Sequence, residues 1–150
     1  MSPRSNFHLR SASWVRDRVF LLAVREAVFV IEQSVSLELE RDDFDPIAFH
    51  VLAQEENSGV PIGTGRLLPD GHIGRMCVLK QWRRQGVGSS LLTFLLEEAR
   101  HRGHREVRLN AQEHAIAFYA GFQFQPEGEL FEEAGIMHRS MYLLLPQSRI

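Results

Sequence analysis

The chain has 150 residues, 44% hydrophobic and 24% charged, with 11 Gly, 6 Pro, one Cys and a formal net charge of −2. About two thirds of the unfolded surface of a chain this long can be buried, so a single domain over 1–150 can hold a core and a ligand cleft without disulfides or a structural metal. The near balance of 17 Lys+Arg against 19 Asp+Glu argues against a nucleic-acid binder. No apolar run approaches the roughly 20 residues of a membrane span, and no signal-peptide stretch follows Met1 to Arg10, so a cytoplasmic location is expected.

The first dozen residues are expected to fray. From Trp14 to Ile31, Val15, Val19, Leu22, Ala23, Ala27 and Val30 recur at helical spacing, which predicts an amphipathic helix with these positions as its apolar face. Glu38, Glu40, Asp42, Asp43 and Asp45 then crowd a stretch that ends at Pro46 and is expected as a solvated loop, with acceptor recognition as its alternative role. Phe49 to Gln54 and Pro61 to Leu68 are β-leaning runs joined by the turn sequence Asn57-Ser58-Gly59, a hairpin signal. Asp70-Gly71 marks a second turn and Ile73 to Leu79 a third strand. Gly88 to Arg102 predicts a strong helix whose stripe is Leu91, Leu92, Leu95, Leu96 and Ala99, stopped by Gly103. Val107 to Asn110 resumes a strand, His114 to Ala120 has helical spacing, and Phe122 to Phe124 and His138 to Leu145 supply two last strands. The order predicts a mixed α/β domain.

The most informative stretch is Arg83-Arg84-Gln85-Gly86-Val87-Gly88-Ser89. Two glycines between a strand and a helix let backbone approach a ligand, and the first helical amides lack internal partners, so the turn is an anion cradle. Arg83 and Arg84 favour a diphosphate guest. The phosphate loop that needs Gly-Lys-Ser/Thr fails here, because the chain's one lysine is Lys80. The dinucleotide fingerprint fails too, since its third glycine position is Leu91.

The segment from Val78 to Gly88 resembles the acyl-coenzyme A motif Gln/Arg-x-x-Gly-x-Gly/Ala of the GCN5-related N-acetyltransferase (GNAT) family, and Ala117-Phe118-Tyr119-Ala120-Gly121-Phe122 is similar to that family's Ala-x-x-Phe-Tyr-x-x-x-Gly-Phe signature, shortened before the glycine. The resemblance implies an α+β fold with a central, mixed, mostly antiparallel sheet flanked by helices and splayed to admit acyl-CoA. It implies acetyl-CoA as cosubstrate, held by the main chain of Met76, Cys77 and Val78 and by Arg83, Arg84, Gln85, Gly86, Val87, Gly88 and Ser89. Asn110, Phe118 and Tyr119 complete that site, with Tyr119 as general acid toward the leaving sulfur.

The implied reaction is direct transfer of acetyl to a primary amine, of a small molecule or of a peptide or protein, in a ternary complex without metal. Such a transfer needs a neutral amine, a polarised carbonyl and a protonated sulfur. Glu32, Glu113, His50 and His138 are the candidate bases, with Glu32 preferred. The run from Val28 to Gln33, followed by Glu40, Asp42, Asp45 and His50, resembles small bacterial members of the family with unassigned acceptors. The competing reading keeps the fold and the acyl-CoA site but has lost transfer. Family members pair into dimers through sheet or helix edges, so a homodimer is implied as well, with no sequence feature fixing its interface. Cys77 lies in an apolar strand and is expected as a small buried residue rather than a nucleophile. His101 and His104 flank Gly103 among arginines, as in a solvated basic turn rather than a metal site.

Overall fold

In the computed structural model, which describes residues 6–146, the β-leaning runs pair as two antiparallel sheets. The first has the order β1 (Phe7–Ala12), β2 (Phe49–Glu55), β3 (Pro61–Leu67), β4 (Ile73–Val78). The second has the order β5 (Glu106–Gln112), β7 (Ile136–Leu144), β6 (Gln125–Glu133). Between them the one ladder contact among the described residues is the parallel bridge His72–Arg108. The Arg108 amide donates to the Gly71 carbonyl at 3.1 Å there. Beyond this bridge β4 and β5 part, as the implied splayed sheet requires.

A bulge bends β4 just after the bridge. Thr64 pairs with Cys77 and Arg66 with Gly74, so Arg75 and Met76 together oppose Gly65, and Arg75 takes a left-handed φ of 51°. Side chains alternate across the strand. Met76 and Val78 join the large core under α3 (Val87–His101), while Cys77 packs with Val24 and Val28 on the opposite face. The α3 stripe is the predicted one: Leu91, Leu92, Leu95, Leu96 and Ala99 are all buried, and each leucine contributes on the order of 1.5–3 kcal/mol. Gly63 lets this helix approach the sheet, since a Cβ there would lie 3.0 Å from Val87 Cγ1 and 3.1 Å from Leu91 Cδ1.

The first helix, α1 (Trp14–Arg25), continues without a break as a π-helix over Glu26–Glu32. Its buried face corrects the expected one. Asp17, Leu21, Val24, Arg25 and Val28 face inward, whereas Val15 is 82% and Val19 73% exposed. Two charged residues can occupy the inner face because each has a partner. Arg10 holds Asp17 through two hydrogen bonds of 2.9 and 3.1 Å, and Arg25 enters an ion network described below.

Two other expectations change. The first dozen residues supply edge strand β1 rather than a frayed end, although residues 1–5 lie outside the described part. Phe122 to Phe124 form a turn and the start of the approach to β6 rather than a strand, with Phe124 buried against Tyr119. The short helix α4 (Ile116–Ala120) follows a 3-10 turn over Glu113–Ala115. Another short helix, α2 (Leu37–Glu40), starts at Ser36, whose hydroxyl caps the Leu39 amide at 3.3 Å. Among the described residues no helix is long and apolar enough to cross a membrane.

Candidate active site

The turn between β4 and α3 has the geometry of an anion cradle. Gly86 caps α3 with φ 87°, a conformation that favours glycine, and nothing lies within 4 Å of where its Cβ would stand. The first α-helical bond of α3 runs from the Ser90 amide to the Gly86 carbonyl at 3.0 Å. The amides from Arg84 to Ser89 therefore donate to no group among the described residues. A run of free amides at the positive end of a 15-residue helix suits a phosphate group. Gly88 keeps the approach open on the other side, since its Cβ would stand 3.6 Å from the Phe118 ring and 3.9 Å from Val78 Cγ2. Phe118 and Val78 thus flank the cradle, which brings the two sequence motifs to one place.

Tyr119 follows from α4. Its ring is only 8% exposed and sits edge-on to Phe118 and Phe124 at 5.1 and 5.8 Å. Its hydroxyl makes no hydrogen bond among the described residues, yet it is not sealed from solvent as Arg66 Nε is. Burial pushes its pKa up, and the nearby Cys77 adds to that, so the phenol keeps its proton. Burial also pushes the Cys77 thiol up to about 12, which fits the inert role expected of it.

Arg83 sits where the cradle begins. Its Nε donates to the Val78 carbonyl at 3.0 Å, and its two terminal nitrogens grip Glu32 at 2.6 and 2.7 Å. Hydrogen bonds from Arg83, reinforced by its charge, hold the Glu32 carboxyl below the usual range. The neighbouring Gln33 exchanges two side-chain hydrogen bonds with Gln112 at the end of β5, at 3.0 and 2.8 Å. Two consecutive residues at the end of the first helix thus tie to opposite sides of the cleft. Sequence reasoning missed the Gln33–Gln112 pair, because its partners are 79 positions apart and two neutral amides leave no charge pattern. Asn110, the expected cofactor contact, accepts from Ser140 Oγ at 3.0 Å on the exposed face of β5.

The acidic stretch corrects its expectation most clearly. Arg25 is buried and lies between Glu40, which it contacts through Nε and through Nη2 at 3.1 Å, and Asp45, at 2.8 and 3.0 Å. Arg66 reaches Asp45 at 2.8 Å and Asp42 at 2.6 Å, Arg75 reaches Asp42 at 3.2 Å, and Arg41 pairs with Glu40. Burial opposes ionisation of Asp42 and Asp45, but the arginine hydrogen bonds and charges outweigh it. They hold Asp42 down to about 2 and Asp45 below the usual range. These three carboxylates are therefore consumed by arginines and offer no free negative field to a cationic acceptor, whereas Glu38 and Asp43 stay exposed. His50 is part of the same buried cluster. Its Nε2 donates to the Asp45 carbonyl at 2.8 Å, and its ring stacks on Trp14 at 5.5 Å. No cluster of His, Cys, Asp or Glu able to hold a metal occurs among the described residues.

Comparison with known proteins agrees with this geometry. Residues 21–145 match the model of the acetyltransferase (GNAT) domain. The chain is similar to the Bacillus subtilis protein YyaT, 36% identical over 123 residues that cover 78% of this chain and 82% of the relative. It is 38% identical to the Bacillus subtilis N-acetyltransferase YjcF over 79% of this chain and 86% of that one. Among solved structures, an N-acetyltransferase from Lactobacillus plantarum superposes with a TM-score of 0.83 at 27% identity, covering 93% of this chain and 99% of the other. Escherichia coli ElaA superposes at 0.78 with 28% identity, covering 90% and 98%. A splayed sheet, a glycine-capped anion cradle and the domain match converge, and the chain belongs to the GNAT family of acetyltransferases, enzymes that take their acyl group from acyl-CoA.

Proposed function

We propose that the protein transfers an acetyl group from acetyl-CoA to a primary amine, directly and within a ternary complex. The run of amides from Arg84 to Ser89 that have no partner among the described residues, opening at a left-handed Gly86, is the observation that carries this reading. Those amides would bind the diphosphate, and the main chain of Met76 to Val78, at the edge where β4 leaves β5, would pair with the pantetheine arm as an added strand. A bound thioester supplies an electrophilic carbonyl carbon and a thiolate leaving group.

The chain's own groups serve the rest of the reaction. A backbone N–H near Val78 polarises the carbonyl oxygen, as an oxyanion donor does. Tyr119, protonated in its buried setting and with a hydroxyl that makes no hydrogen bond among the described residues, gives its proton to the departing sulfur. Glu32, which the resemblance offers as the preferred base, holds Arg83 at the cradle, and Arg83 in turn fixes the Val78 carbonyl. The acceptor is a small amine, or the amine of a peptide or protein. With Glu40, Asp42 and Asp45 neutralised, long-range attraction contributes little to its choice.

The test is a calorimetric titration with acetyl-CoA, followed by a panel of polyamines, aminoglycosides, amino acids and short peptides while free thiol is monitored. Saturable binding with thiol release on at least one amine is the expected result. Absence of acetyl-CoA binding overturns the cradle assignment, and binding without release on any amine favours a protein that senses acyl-CoA without transferring from it.

A further inference from the structure

Resting on that acyl-transfer reading, we propose that His138 is the general base, with its Nε2 taking a proton from the acceptor ammonium. Of the four side chains that could do so, three are placed against it. Glu32 has both oxygens bound by Arg83. His50 uses Nε2 to donate to the Asp45 carbonyl, and its ring is closed in by Trp14 and the arginine network. Glu113 is an exposed residue of a 3-10 turn with no ion pair among the described residues. No hydrogen bond among the described residues orients its carboxylate toward the cleft.

His138 differs on each count. It is 7% exposed, and its Nδ1 lies 2.7 Å from the Ile136 carbonyl. A carbonyl oxygen can only accept, so Nδ1 carries the hydrogen and Nε2 keeps a basic lone pair. Among the described residues that nitrogen has no hydrogen-bond partner, and it is not sealed from solvent. The ring stacks on Phe131 at 5.9 Å with an angle of 24°, which fixes its plane. Glu133 Oε2 stands 3.8 Å from Nε2, beyond hydrogen-bond reach, and so does not occupy the lone pair.

Register places this imidazole on the correct side of the sheet. His138 is directly opposite Gln112 on β5 and Phe131 on β6, so the three form one row across the sheet. Gln112 is the residue tied to Gln33 at the end of the first helix, so the row faces that helix rather than α3. The charged group facing His138 is Glu133 on β6, while β5 presents the neutral Gln112.

The step balances as follows. Nε2 takes one proton from the ammonium, and the freed nitrogen lone pair forms the C–N bond to the thioester carbon. The C–S bond breaks with its electrons going to sulfur, and the Tyr119 proton completes the thiol. The amide keeps one of the original ammonium protons, a second replaces the one given by Tyr119, and the third passes from His138 to solvent.

The experiment follows thiol release from acetyl-CoA with two probe acceptors, n-butylamine, a cation near neutral pH, and hydroxylamine, which is largely neutral there. Acetyl-CoA binding to each variant is measured alongside by calorimetry. His138→Ala is expected to lose about 100-fold in kcat/KM with n-butylamine and to regain part of it with added imidazole. With hydroxylamine the loss stays within about threefold, and acetyl-CoA affinity is unchanged. His138→Gln, which keeps a polar group of similar size, should behave as His138→Ala does, whereas Glu133→Gln, which leaves the imidazole in place, should retain most activity. Equal losses with both nucleophiles, or no loss with n-butylamine, overturn the assignment. If the unmutated protein binds acetyl-CoA but releases no thiol with either probe, the base assignment falls together with the transfer reading. If it fails to bind acetyl-CoA, the cradle reading is the part that fails.

Discussion

Replacing Arg25 by Met tests whether the acidic stretch is a buried scaffold or a solvated loop. The guanidinium is 1% exposed and bridges two carboxylates that are themselves buried, Glu40 and Asp45. Met fills most of its volume but carries no charge, so each carboxylate loses one of its two cations and keeps the other, Arg41 for Glu40 and Arg66 for Asp45. Breaking one side of a buried ion pair costs about 3–5 kcal/mol, and the retained partners place the expectation near 3. With a urea m-value of about 2 kcal/mol/M this lowers the midpoint by about 1.5 M. The loss also depends on pH. In the unmutated protein Asp42 and Asp45 have depressed folded pKa values, so their stabilisation is complete above the unfolded value near 3.9 and fades as pH falls through the folded one, about 2 for Asp42. Without Arg25 the burial of Asp45 is opposed by less positive charge, its folded pKa rises, and acidification relieves the penalty. Urea melts at pH 7 and pH 4.5 should therefore show the larger gap between variant and parent at pH 7. A gap below about 1 kcal/mol that is the same at both pH values would refute the buried network.

Three further outcomes are expected. Tyr119→Phe should lower kcat for thiol release at least tenfold while leaving acetyl-CoA affinity and thermal stability nearly unchanged, because the hydroxyl makes no hydrogen bond among the described residues; full activity across the pH range would remove the acid assignment. Gly86→Ala should cost about 1 kcal/mol through its left-handed φ, seen in thermal melts, and weaken acetyl-CoA binding by more than that strain accounts for, seen by calorimetry, because the added methyl points into open space beside the free amides. Cys77, with its thiol pushed up to about 12, should resist iodoacetamide in the native protein near pH 8 and react once the chain is unfolded. Rapid native labelling would show that the strand is open to solvent.

The legible parts of the chain were those where local pattern and tertiary role coincide. The α3 stripe, the Asn57-Ser58-Gly59 hairpin and the glycines before α3 each carry their structural reason within a few residues. The inner face of the first helix is not legible locally, because it holds Asp17 and Arg25, whose burial depends on Arg10, Glu40 and Asp45 at other points of the chain. The apolar Val15 and Val19 were left outside as a result. Strand β6 carries no local signal because it is an edge strand, exposed at nearly every position and without alternation. At the site, the cradle and Tyr119 came from contiguous motifs, whereas the Glu32–Arg83 and Gln33–Gln112 ties join residues 51 and 79 positions apart and exist only once the sheets are assembled.

The π-helical stretch from Glu26 to Glu32 has a mechanical consequence. A π turn uses one more residue than an α turn and so changes the direction in which every later side chain leaves the axis. The Gln33 amide donates back five residues to the Val28 carbonyl at 3.0 Å, and the Val35 amide reaches the Phe29 carbonyl at 2.8 Å. The same rod therefore has two settings, one that aims Arg25 and Val28 into the core and a second that aims Glu32 and Gln33 across the cleft. Removing one residue from the wide turn would reset the second without touching the first. The core and its arginine network would stay in place while the links to Arg83 and Gln112 were lost, so the length of a single turn separates what keeps this protein folded from what equips it to react.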